Sequence, residues 1–285
     1  MIWRTKDDAQ RGEIDLSSKA VVMGILNVTP DSFSDGGENF SFDTAINRAR
    51  EMVTEGALII DIGGESTRPG ATAVSVTEEI ARVVPVITKL RELKEFDQTY
   101  ISVDTSKSKV AEAAIKGGAD IINDVTGCTV DAEMIPLAAR TGVGLVVMHM
   151  QGTPEMMQDD PSYINVLTEV KEFFSERIQT LIRAGVKEEC VCFDPGIGFG
   201  KTDAHNLSLL ANIDNMEVEG RPILLGVSRK SLFGRLLGVN DPQERDAATI
   251  SMTTLARNKG CMLHRVHDVK GNCDALRMTE HYLNA

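Results

Sequence analysis

Ala113-Ala114-Ile115-Lys116-Gly117-Gly118-Ala119-Asp120-Ile121-Ile122-Asn123-Asp124-Val125 holds one whole period of the architecture. A helical stretch runs into a glycine suited to a left-handed C-cap, and an apolar run of strand length follows at once. Asn123 and Asp124 stand at the far end of that strand, inside an otherwise apolar context. Charged side chains are seldom placed there unless paired or used. The same order of helix, glycine and strand recurs around Gly56, Gly142, Gly185 and Gly260.

Working outward, eight apolar runs fall at 21–28, 58–62, 100–103, 120–125, 144–149, 191–193, 223–227 and 262–266. Near-continuous hydrophobicity suits parallel strands covered on both faces. Helical stripes lie between them. Ile80, Val83, Val84, Ile87 and Leu90 follow the capping-box pattern Ser75-x-x-Glu78, and Leu167, Val170, Phe174, Ile178 and Leu181 form another stripe after Pro161. Eight β/α alternations in 285 residues predict an α/β protein, a single (β/α)8 TIM barrel with its active site at the C-terminal ends of the strands. A doubly wound open sheet stays open as the alternative, because sequence does not show closure. No linker or composition break divides the chain, so residues 1–19 read as a lead-in or hairpin and residues 20–285 as the barrel.

A formal charge of −12 argues against a general nucleic-acid binder, although a local cluster of cations can still hold an anionic ligand. Five scattered cysteines read as reduced core thiols of a cytoplasmic protein. The first twenty residues show no secretory h-region, and no apolar run reaches transmembrane length, so no membrane partner is expected.

Polar residues mark the end of nearly every expected strand: Asn27, the 65–68 stretch, Asp104, Asn123 with Asp124, His149, Asp194, Lys230, and Arg265 with His267. The C-terminal rim of a barrel is where such dispersed groups converge. Two other patterns fail. Gly200-Lys201-Thr202 ends like a phosphate-binding P-loop, but Pro195 stands where that pattern requires glycine. His264-x-x-His267 places its two rings on opposite faces of a strand, which disfavours a zinc site.

Ile25-Leu26-Asn27-Val28-Thr29-Pro30-Asp31-Ser32-Phe33-Ser34-Asp35-Gly36-Gly37 and Asp61-Ile62-Gly63-Gly64-Glu65-Ser66-Thr67-Arg68-Pro69-Gly70 resemble the two signature loops of the dihydropteroate synthases, a family of pterin-binding enzymes. The likeness continues through Val103-Asp104-Thr105, Ile122-Asn123-Asp124-Val125, Met148-His149-Met150, Asp194-Pro195-Gly196-Ile197-Gly198-Phe199-Gly200-Lys201, Ser228-Arg229-Lys230-Ser231 and Arg265-Val266-His267-Asp268. The resemblance implies transfer of a dihydropterin methyl group from diphosphate to 4-aminobenzoate, by an SN1-like course with Mg2+ assisting. It assigns Asp104, Asn123, Asp194, Lys230 and Arg265 to the pterin. Phe33, Thr67, Arg68, Pro69, Phe199, Lys230 and Ser231 go to 4-aminobenzoate. Asn27, Arg68, Arg265 and His267 go to the diphosphate, with Asn27 also on the metal; Asn27, Arg68, Lys230, Arg265 and His267 form the catalytic set. Sulfonamides are implied as competitive inhibitors. A homodimer through the late helices is implied too, although those apolar faces would equally fit a core contact. The corrinoid methyltransferases share the barrel and the pterin-holding Asp and Asn, but the Ser-Thr-Arg-Pro-Gly loop and the Arg-x-His-Asp run point away from them.

Overall fold

The structure is a computed structural model that describes residues 1–6, 11–29, 37–66, 73–152, 157 and 161–285, of which 37–41 are described by backbone alone. Eight of its strands form one parallel sheet: β3 (Val21–Asn27), β4 (Ile59–Gly63), β5 (Tyr100–Asp104), β6 (Ile121–Asp124), β7 (Gly144–Met148), β8 (Val191–Asp194), β9 (Leu224–Leu225) and β10 (Leu263–Val266). Neighbours pair in the order β8-β7-β6-β5-β4-β3-β10-β9, and a parallel bridge between Phe193 and Ile223 joins the two ends of that row. The sheet therefore curls into the expected barrel and does not stay open.

Helices alternate with the strands, among them α1 (Gly37–Glu55), α2 (Val76–Glu92), α3 (Ser108–Gly117), α4 (Met134–Thr141), α5 (Val166–Arg183), α6 (Asp203–Ala211), α7 (Ser231–Leu237), α8 (Asp246–Asn258) and α9 (Val269–Leu283). Ser75 caps α2 by accepting from the Glu78 amide at 3.2 Å. The Glu78 carboxylate turns to Arg82 and not back to the cap, so only half of the expected box forms. In α5 the Asn165 side chain accepts from the Leu167 and Thr168 amides, each at 3.1 Å. The buried stripe of that helix starts at Val166, with Leu167 partly buried beside it.

Period two sorts the strands into two faces. Val22, Leu26, Ile60, Ile62, Ile101, Val103 and Val266 point outward and pack under helices, as do Leu145, Val147, Val191 and Phe193 across the barrel. Inward, the lower positions are apolar: Met23, Ile59, Tyr100, Ile121, Val146, Cys192, Leu224 and Leu263 share one cluster with Trp3, Ile14 and Leu16. Those last three come from the N-terminal segment, where β1 (Ile2–Arg4) pairs antiparallel with β2 (Glu13–Asp15). Trp3 is fully buried and its indole N–H donates to the Cys190 carbonyl at 2.8 Å, which seals the lower end.

The seventh barrel strand is shorter than 223–227. Pairing stops at Leu225, and the Lys230 amide donates to the Val227 carbonyl at 3.3 Å, closing a turn that leaves the sheet. All five cysteines are buried and free, and no helix among the described residues is long and apolar enough to cross a membrane. Replacing Trp3 by Ala empties the seal and leaves the Cys190 carbonyl without its donor. The expected cost is about 3–5 kcal/mol, read as a lower midpoint in urea unfolding.

Candidate active site

Two residues above the apolar layer, the inward positions become polar. Asp61 lies beside Ser102 in the register, Gly63 beside Asp104, and Asp104 beside Asn123, while Met148 pairs with Asp194 and Met23 with Arg265. A cavity of ≈ 970 Å³ opens above this layer, lined by Asn27, Asp104, Phe199, Lys230, Ser231, Arg265 and His267 among others. The residues gathered there come from separate strand ends, as a single-mouth site requires.

Arg265 anchors the cluster. Its Nε donates to Asp61 Oδ2 and its Nη2 to Asp104 Oδ2, both at 2.6 Å. Asn123 Nδ2 donates to the same Asp61 oxygen at 3.0 Å. One fully buried carboxylate thus orients a cation that lines the cavity and an amide on the strand beside Asp104. Burial works against the Arg265 charge, yet Asp61 and Asp104 more than offset it and hold the guanidinium above its ordinary range. Asp104 is pushed up to about 7 by burial; Arg265 opposes that shift and Asp61 adds to it.

Asp194 is 5% exposed and accepts from the Gly196 amide at 2.7 Å through Oδ1. Burial raises its pKa, against the Gly196 N–H and the charges of Lys230 and Arg265. Gly226 lines the cavity, and a Cβ there would stand 3.3 Å from Asp194 Oδ2, so the glycine leaves no side chain over that oxygen. Lys230 is pulled down to about 8 by burial, with Asp194 acting the other way, and its ammonium sits 4.0 Å from the centre of the Phe199 ring. His267 points inward with Nδ1 2.9 Å from Ser228 Oγ, whereas His264 faces outward beside the Cys261 carbonyl. The expected opposite facing of these two rings holds.

Other strand-end residues serve the frame. Asp124 accepts from Thr126 N, Thr126 Oγ1 and Cys128 N and so folds its own turn. His149 is buried against the Lys201 ammonium. Glu65 lines the cavity but pairs with Lys107 at 2.7 Å. Phe33, Thr67, Arg68 and Pro69 lie outside the described residues. Asp61 carries no role in the sequence reading beyond opening a signature loop. Its signal was available, an aspartate at an inward parity position inside an apolar strand.

A closed parallel barrel with a polar cavity at the strand C-termini defines a (β/α)8 enzyme. The sequence profile described as pterin binding enzyme matches residues 23–267. The dihydropteroate synthase of Escherichia coli (strain K12) is 46% identical over 277 residues, which is 97% of this chain and 96% of that protein. The Yersinia pestis dihydropteroate synthase, solved in complex with a sulfonamide drug, is 40% identical with a TM-score of 0.90 over 100% of both chains. That of Xanthomonas albilineans, solved with 4-aminobenzoic acid, is 41% identical with a TM-score of 0.88 over 96% of each chain. The chain belongs to the pterin-binding enzymes, in the dihydropteroate synthase family, and is by that membership a transferase.

Burial and the Lys201 charge lower the His149 pKa to about 3, against an ordinary value of 6.5. The folded protein therefore resists a proton that the unfolded chain accepts below pH 6.5, so this contribution to stability is full above that pH and is lost as pH falls toward 3. Replacing His149 by Asn keeps an acceptor for Lys201 and removes the titration. Urea unfolding across that range is expected to show a pH slope flatter by up to about 1.4 kcal/mol per pH unit.

Proposed function

We propose that the enzyme condenses (7,8-dihydropterin-6-yl)methyl diphosphate with 4-aminobenzoate, giving 7,8-dihydropteroate and diphosphate. The observation that supports this reading is the pair formed by Asp194, whose Oδ2 has Gly226 beside it, and cavity-lining Arg265, held by two carboxylates. A pterin presents adjacent N–H donors on one edge, which an ionised carboxylate accepts side by side. Asn123 and Asp104 supply further polar contacts to the ring, and Lys230 donates to its carbonyl and ring nitrogen. The planar Arg265 guanidinium lies against the heterocycle and extends its charge toward phosphate.

The reading places the pterin deep, beside Asp194 and Asn123, and 4-aminobenzoate nearer the mouth. Phe199 and the Lys230 stem give the second ring apolar walls, and exposed Ser231 at the start of α7 offers donors to its carboxylate. Phe33, Thr67, Arg68 and Pro69 complete this pocket in the proposal. Departure of diphosphate is the demanding step, since negative charge grows on the leaving group while the methylene becomes cationic. In this reading Arg265 and His267 donate to that charge, joined by Arg68 from the family resemblance, each worth about 3 kcal/mol by analogy with a single oxyanion donor. The dissociative, SN1-like course suits a site in which the buried cysteines lie at none of the proposed ligand contacts. The amine needs no strong base, because its proton leaves after the C–N bond has formed.

Asn27 lines the cavity, and its side chain makes no hydrogen bond among the described residues. No group of three or more His, Cys, Asp and Glu stands together among the described residues as a ready metal site. A single amide oxygen fits a cation that takes its other ligands from water and phosphate, as Mg2+ does. Asn27 would hold it, and the ion would supply charge neutralisation on the diphosphate. By the same reading sulfonamides compete with 4-aminobenzoate, and the enzyme works in the cytoplasm.

Incubation with the pterin diphosphate, 4-aminobenzoate and Mg2+ is expected to yield dihydropteroate and diphosphate; binding of the pterin without product would sink the reaction. Asp194→Asn removes one of two parallel acceptors and is expected to weaken pterin diphosphate binding by more than about 2 kcal/mol in calorimetric titration. We also propose a homodimer through α7–α9, where Leu237, Leu255, Met278 and Tyr282 are exposed. Sedimentation at micromolar protein is expected to give twice the monomer mass, and Leu255→Glu a monomer.

A further inference from the structure

Lys201 is 1% exposed and bonds to no carboxylate in the described structure. Its ammonium donates to the carbonyls of Phe199 at 2.9 Å, Gly196 at 3.0 Å and His149 at 3.2 Å, and it lies 3.0 Å from His149 Nδ1. Three N–H donors thus meet three carbonyl oxygens, with the imidazole nitrogen as a fourth polar contact whose direction follows its tautomer. Burial pulls the Lys201 pKa down to about 7, with Asp194 acting the other way, while the three surrounding carbonyls match the three N–H donors of the ammonium form. The cage resembles the ring of carbonyls that replaces water around a dehydrated monovalent cation.

The backbone geometry around it is equally particular. Gly196 and Gly200 adopt φ of +66° and +62°, and a Cβ at either would stand 1.9 Å from the His149 carbonyl oxygen or 2.3 Å from that of Gln151. The 196–200 loop therefore lies flush on the 149–151 backbone, with carbonyls of both segments turned toward one point. Carbonyl dipoles aimed at one another repel, and a cation between them reverses the sign. Tyr163 holds the far end through Gly200 O at 2.8 Å, and Asn206 accepts from Gly198 N at 2.8 Å. Phe199 rides on this loop, and its own carbonyl is one of those the ammonium holds.

We infer that Lys201 is a positioning residue for the amine substrate: a built-in cation that fastens the Phe199 loop to the end of β7 and so sets the wall of the 4-aminobenzoate pocket. This rests on the proposed reading of that pocket. The Gly-Lys-Thr pattern that fails as a P-loop acquires a use, with the lysine turned into its own loop and not toward phosphate. Asp194 opens the same loop, but it is also fixed by the Gly196 amide and by β8, so the pterin end depends less on Lys201.

The test is steady-state kinetics of Lys201→Ala beside the wild type, with pterin diphosphate affinity measured separately by titration. Turnover by the wild type comes first, and its absence would sink the functional reading and not this one. The variant is expected to raise KM for 4-aminobenzoate about tenfold or more, the loss of one charged buried hydrogen bond, while pterin affinity changes less than about twofold. Methylammonium chloride, small enough to enter the vacated cage, is expected to lower that KM again, and tetramethylammonium chloride at equal ionic strength is not. A folded variant with an unchanged KM, or one in which both affinities fall together without rescue, overturns the inference. Where Lys201→Ala does not fold, Tyr163→Phe decides, since it loosens the same loop at Gly200 only. A raised 4-aminobenzoate KM with intact pterin binding supports the inference, and an unaltered KM overturns it.

Discussion

Water is excluded from the interior of a closed parallel barrel, so a charge placed there must find its counter-charge across the barrel. Arg265 finds two, Asp61 and Asp104, which lie 204 and 161 residues away in the chain. The contact exists only while β10, β3, β4 and β5 keep their register. A slip of one residue would turn Asp61 or Asp104 into the helical layer and leave a buried guanidinium unpaired. Barrel closure and site geometry are thus one constraint seen from two sides.

That constraint also divides the interior into two tiers. The lower tier is apolar and is plugged by Trp3 and Ile14, so no ligand enters from that end. The upper tier holds the carboxylates, Asn123 and Arg265, with the apolar tier below them and the cavity above. Asp61 keeps one oxygen without a partner, and buried Ser102 beside it is in the same state. Unsatisfied polar atoms directly under a cavity are tolerable where a ligand or solvent can reach toward them.

Much of this was legible in the sequence, because period two and barrel topology together say which residues meet. An apolar run ending in Asn or Asp fixes a strand, its direction and the parity of its inward face. That pattern put Asn27, Asp104, Asn123 and Asp194 at strand ends, and Arg265 follows the inward parity of the last strand, whereas the ligand role of each came only from the family resemblance. What stayed hidden depends on contacts between segments distant in the chain. No local pattern says that the 196–200 loop lies on 149–151, so Lys201 had a failed motif and no role. The half-formed cap at Ser75 arises from competition, since Arg82 draws Glu78 away. The seventh strand was overestimated because Gly226 and Val227 look extended while the turn at Lys230 takes them out of the sheet.

The acidic character of the chain and its proposed anionic substrates are reconciled by distance. Arg229, Lys230, Arg235, Arg245 and Arg265 all line the cavity. Arg229 is neutralised by Asp246, Arg235 by Asp203, and Arg265 by its two partners. Arg245 is different, because its donors go to the carbonyls of Val239, Arg229 and Asn240, which leave its charge intact. Lys230 likewise rests on an aromatic face. Screening at physiological salt extends over about 8 Å, so an anion in the cavity feels Arg245 and Lys230 close by and the remote acidic surface hardly at all. The net charge of −12 therefore does not by itself bar a small anion from the cavity.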